Sequence, residues 1–80
     1  MKLAPKANST TTYRGIIITH EQEDGTHHVY VERANSNASA SLAWALDVGT
    51  FSDENETPIT AAEYRTIREV EAAYTDAGLY

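Results

Sequence analysis

The chain has 80 residues, no cysteine, and twelve Asp and Glu against six Lys and Arg, for a formal net charge of −6. So short a chain is a single domain with a thin core, since it buries only about 60% of the surface its unfolded form exposes. The missing cysteines exclude disulfides, thiol nucleophiles and Cys-based zinc sites. The acid excess disfavours phosphate backbones and anionic membranes, which are bound by clustered Lys and Arg.

Residues 1–12 (MKLAPKANSTTT) hold both lysines and no acid, include Pro5 and show no periodicity. That composition predicts a flexible N-terminal tail ahead of one folded domain over residues 13–80. Lys2 is followed by Leu3-Ala4-Pro5-Lys6, which breaks off before an apolar signal-peptide core could begin. No apolar run reaches the roughly 18 residues of a membrane span, so a cytoplasmic location is expected. The segment 13–80 sets four arginines against all twelve acids, a net of −8, so the expected domain is more acidic than the whole chain.

Tyr13 to His20 (YRGIIITH) is rich in β-branched and aromatic residues and predicts a strand. His27 to Ala34 (HHVYVERA) alternates, with Val29 and Val31 on one side and Tyr30 and Glu32 on the other. Between them Asp24-Gly25 is the preferred centre of a two-residue type I′ hairpin turn. Counting outward from that turn places Ile18 opposite Val31, Ile16 opposite Arg33 and His20 opposite Val29, on a core-facing surface shared with His27. Ile17, Thr19, Glu21, His28, Tyr30 and Glu32 fall on the other, more polar surface.

Residues 35–39 (NSNAS) compose a loop. In Ala40 to Val48, the residues Leu42, Trp44, Leu46 and Val48 recur at period two, which favours a third strand. The alanines and Gly49 argue the other way, since Ala is the best helix former and Gly is a natural helix cap. Phe51 to Thr57 (FSDENET) is an acidic loop. A helix is expected over Ala61 to Ala77, with Thr60 and Glu63 as a capping box, Ile59 and Tyr64 as a staple, and Ile67, Val70, Tyr74 and Ala77 as the apolar stripe. Gly78 sits where a left-handed cap belongs. The expected architecture is α+β: a three-stranded antiparallel β-meander with one C-terminal α-helix packed on one face.

Reactive chemistry is poorly provided for. His20 and His27 share a face while His28 lies opposite Glu21, but a zinc centre needs about four converging ligands, or three and a water. Asp53-Glu54-Asn55-Glu56 offers oxygens, yet Pro58 and Tyr64 stand where a calcium loop needs glycine and glutamate. There is no Gly-x-Ser-x-Gly elbow, and the glycines at 15, 25, 49 and 78 cannot form a phosphate-cradling loop. The expectation is therefore a non-enzymatic protein with no cofactor and no resident metal.

Surface recognition remains. Tyr30, flanked by Glu21 and Glu32, forms an acidic surface with an aromatic centre, the kind of residue that anchors interfaces. With Glu23, Asp24, Asp53, Glu54 and Glu56, these residues are the candidate contacts for a protein partner whose surface is basic, one that itself binds nucleic acid being a natural example. Direct nucleic-acid or membrane binding is not expected. Size, acidity and the absence of targeting and catalytic motifs resemble, in general style, the small proteins that phages and mobile elements encode to block host machinery, of which anti-CRISPR proteins are the best known. That resemblance implies an inhibitor acting in a host cytoplasm. The alternatives are a structural or regulatory homodimer and, third, a metal-dependent activity at the hairpin histidines.

Overall fold

The computed structural model describes residues 3–80; Met1 and Lys2, part of the expected tail, lie outside the described residues. In chain order the elements are β1 (Thr10–Tyr13), β2 (Ile16–Glu23), β3 (Thr26–Arg33), β4 (Ser39–Ser41), α1 (Leu42–Val48) and α2 (Ala61–Asp76). The strands form one antiparallel sheet in the order β1-β2-β3-β4. The α+β class stands, with four strands and two helices where three and one were expected.

The central hairpin follows the turn chemistry. Asp24 and Gly25 have φ of 51° and 80°, both positive as a type I′ turn demands. The register is the counted one: Ile16 pairs with Arg33, Ile18 with Val31 and His20 with Val29. Ile16, Ile18, Val29 and Val31 are buried on the inner face, and Tyr30 projects from the outer one. A Cβ added at Gly25 would meet nothing within 4 Å, so substitution there is penalised through the backbone alone. Gly25→Ala is expected to cost about 1–2 kcal/mol, lowering the melting temperature by roughly 4–8 °C for each kcal/mol. Gly25→Asn should melt close to the parent, because Asn tolerates positive φ; equal melting of the Ala variant in a circular-dichroism scan would refute the turn assignment.

Two sequence expectations need correction at the N-terminal end. The run Tyr13–His20 is not one strand: Arg14 and Gly15, at φ of 51° and 80°, make a second tight turn between β1 and β2. Gly15 supplies the second positive-φ position, but Arg14 stands where Asn or Asp would have advertised the turn. The last three residues of the expected tail are also ordered into the sheet, Thr10–Thr12 pairing with Ile17–Thr19 as part of β1. Asn8 anchors the approach, its side-chain Oδ1 accepting from Gln22 N–H at 2.8 Å.

Residues 40–48 are corrected from strand to a three-residue β4 followed by helix α1. Ser41 is the N-cap, its hydroxyl accepting from Trp44 N–H at 3.2 Å. Gly49, at φ 81°, closes the C-terminus with its N–H on the Ala45 carbonyl at 3.0 Å. The helix buries Leu42 and Ala45 and turns Trp44 and Val48 outward, so the period-two pattern was coincidental and the alanines carried the signal.

Helix α2 starts at the expected capping box: Thr60 Oγ1 accepts from Glu63 N–H at 3.1 Å, and Glu63 Oε1 accepts from Thr60 N–H at 2.9 Å. It ends in a Schellman pair, with Leu79 N–H on Tyr74 O at 2.8 Å and Gly78 N–H on Thr75 O at 3.0 Å. Ile67, Val70 and Tyr74 are buried against the inner sheet face, while Ala77, expected in the stripe, is exposed. Phe51, the first residue of the acidic loop, is fully buried in the same cluster. Both helices thus cover one side of the sheet, and among the described residues no helix covers the other.

Candidate functional site

The open face is built by the outward half of each strand's alternation. Tyr30 stands near its centre, 40% exposed, paired with Thr19 on β2 and Ser41 on β4. Those small hydroxyl neighbours leave the ring standing proud. On one side a groove of about 350 Å³ runs past Ile17, Thr19, Glu32, Ser39 and Ser52. On the other a groove of about 250 Å³ lies between Tyr30, His28, Ala43 and Tyr80. The His28 ring lies nearly parallel to that of Tyr30, with centroids 6.4 Å apart at 18°.

The eight expected contact residues fall into two groups with Tyr30 between them. Glu21, Glu23 and Asp24 occupy the hairpin tip, where Glu21 pairs with His28. Glu32 lies toward the other end beside Ser39, and the loop carrying Asp53, Glu54 and Glu56 joins that corner because Ser52 N–H donates to Ser39 O at 2.9 Å. Glu54 and Glu56 are exposed. Asp53 has a different occupation. Its carboxylate accepts from Thr57 Oγ1 at 2.5 Å and from Thr57 N–H at 2.8 Å, and these two bonds hold it below the usual carboxylate range. Asp53 therefore closes its own loop.

Among the described residues the ion pairs are Arg33–Glu63 and Arg14–Glu69, and neither uses a candidate acid. The first is a clamp between layers: Arg33 donates from Nε and from its terminal amino group to the two Glu63 oxygens, each at 2.7 Å, and to Pro58 O at 3.1 Å. Its guanidinium also lies 5.1 Å from the Phe51 ring centroid. The second is a surface contact of 3.8 Å beside the Tyr13 hydroxyl, which donates to Glu69 at 2.7 Å and is thereby raised above its ordinary value. Among the described residues, the outer-face carboxylates Glu21 and Glu32 take part in neither of these ion pairs.

The histidine pair meets on the inner side of the hairpin. His20 is buried, and its Nε2 lies 3.1 Å from His27 Nδ1. Asn8 N–H donates to His20 Nδ1 at 2.9 Å, so that nitrogen is an acceptor and the proton of the neutral ring sits on Nε2, directed at His27. A metal on Nε2 would require the opposite tautomer, with two N–H groups pointing at each other across the Asn8 contact. No third His, Asp or Glu among the described residues converges on the pair. His20 ties the segment before β1 to β2, and its contact with His27 links β2 to β3.

Sequence reasoning missed Arg33 and Phe51, whose pairing needs the loop to fold under the sheet, and Trp44, which the strand reading would have buried with Leu42. No protein family, curated protein or solved structure matches this chain. No helix among the described residues is long and apolar enough to cross a membrane.

Proposed function

We propose that the chain is a non-enzymatic acidic binding protein that occupies a positively charged site on a larger protein through its open sheet face. The observation that carries this reading is the placement of Tyr30 as an exposed aromatic between two grooves, with Glu21 and Glu32 on the same face and in no ion pair among the described residues. An aromatic contact at the centre supplies affinity, while surrounding carboxylates supply orientation and a fast encounter with a basic surface. Filling such a site blocks it, which is the manner of action of a phage or mobile-element inhibitor of the anti-CRISPR type. Glu54 and Glu56 extend the negative field at one corner, and Asp53 supports it only by shaping the loop.

The test is capture by immobilised nucleic-acid-binding proteins with defined basic sites, at low and high salt. Parent protein should be retained in a salt-dependent way by at least one of them. Tyr30→Ala should weaken retention roughly tenfold, the usual scale for a central interface aromatic, and the Glu21→Gln/Glu32→Gln double variant should flatten the salt dependence. Retention indifferent to salt and to both variants would reject the reading. Light scattering checks the homodimer alternative, for which β1, an edge strand of the sheet, is the natural seam.

A further inference from the structure

The outward side of α1 carries a second constellation. Positions 47 and 48 are each neighbours of position 44 on a helix, being three and four residues from it. Here they are Trp44, which is 40% exposed, Asp47, and Val48, which is 48% exposed. Trp44 is the only tryptophan of the chain, yet the core is filled by Leu42, Phe51 and their neighbours without it. Its indole N–H reaches Thr50 Oγ1 at 3.4 Å, which orients the ring while leaving it open to solvent.

Asp47 supplies an independent sign of what the face accepts. It lies in the last turn of α1, where the helix dipole disfavours negative charge, and that turn holds no basic residue to offset it. Neither ion pair among the described residues involves Asp47. A carboxylate set against its own helix end, one turn from an exposed indole, is relieved by a cation brought from outside. A planar guanidinium suits both groups at once, stacking on the indole while donating to the carboxylate, with Val48 left to pack on its aliphatic stem.

We infer that the Trp44–Asp47–Val48 face of α1 is a docking site for an arginine side chain of a basic protein partner. The choice of a basic partner rests on the functional reading above, whereas the residues are separate from those of the open sheet face.

Because Trp44 is unique, indole fluorescence reports this face directly. The probes are an arginine nonapeptide and a lysine nonapeptide of equal charge, each also followed by the anisotropy of a fluorescent label. The arginine peptide should shift the indole emission saturably, with the lysine peptide several-fold weaker. Asp47→Asn should weaken the arginine response about two- to fivefold, the scale of an exposed ion pair, while Glu21→Gln/Glu32→Gln should leave the indole response in place. No saturable indole change, or an equal one in Asp47→Asn, overturns the inference. Label anisotropy that rises while the indole stays silent, and that is lost in the Glu21→Gln/Glu32→Gln variant, overturns it and leaves the open-face reading standing. An indole shift on simple dilution of the protein assigns the face to a second copy of the chain and also overturns it.

Discussion

Phe51→Ala is expected to leave the domain largely unfolded at room temperature or close to it. Phe51 is fully buried although it begins a loop, and its ring is covered by the Arg33 guanidinium at 5.1 Å. Truncating a buried Phe to Ala costs about 3–5 kcal/mol, through lost transfer energy and the cavity left behind. A domain of this length holds only roughly 4–12 kcal/mol in total. Phe51 N–H also donates to Thr57 O at 2.8 Å, a backbone bond that the substitution leaves in place. Urea titration followed by far-ultraviolet circular dichroism provides the check. Phe51→Leu, which keeps most of the volume, should lose less than half as much. A midpoint for Phe51→Ala within the equivalent of about 1 kcal/mol of the parent would show that the loop can collapse into the gap.

Glu63→Gln should both destabilise the protein and reduce its sensitivity to acid, with the part carried by Asp53 left in place. Glu63 is lowered from 4.5 to about 2, first by the Arg33 side-chain hydrogen bonds and further by the Thr60 backbone N–H, against an opposing desolvation cost. A carboxyl whose folded-state value is depressed adds stability that is fully present above its unfolded value. That stability is lost as the pH falls toward the folded value. The window is therefore from pH 4.5 down to about 2. Its size is at most roughly 3 kcal/mol, and Glu63 is only 19% exposed, so solvent screening removes little of it. Parent protein should melt at a constant temperature above about pH 5.5 and progressively lower below 4.5. The glutamine variant should start lower and descend less across that window. Arg33→Ala should be worse at neutral pH, because it leaves the carboxylate half-buried and unpaired and uncovers Phe51. Parallel acid profiles for parent and Glu63→Gln would place the acid-sensitive group elsewhere.

These two residues mark where the one-dimensional reading stopped. The hairpin could be counted to the residue because Asp24-Gly25 dictates its own turn and period-two alternation then leaves one register. Helix α2 could be bounded because its signals, Thr60 with Glu63 at the start and Gly78 at the end, act over four residues or fewer. Arg14-Gly15 folds the same way as Asp24-Gly25 but carries only half of the usual signature, so β1 and β2 read as a single strand. In Ala40 to Val48 two local codes disagreed, and the helix prevailed where Ser41 could cap it and Leu42 and Ala45 could reach the core. Tyr30 and its acidic neighbours were identifiable as outward-facing from the register. That they flank two grooves depended on β4 and the Ser52 segment arriving beside β3.

What the amino-acid order settled by itself was everything governed by near neighbours along the chain: the central hairpin, its two faces, the capped helix, the acid excess and the want of reactive motifs. Tertiary structure alone decided which carboxylates are spent internally, as Glu63 is on Arg33, and which, among the described residues, make no ion pair, as Glu21 and Glu32 do not. It also decided that Phe51 goes inside and Trp44 stays outside. The physical reason is that local hydrogen-bond geometry is encoded within a few residues. Burial and charge pairing depend on which distant segments share the limited space against one face of a small sheet.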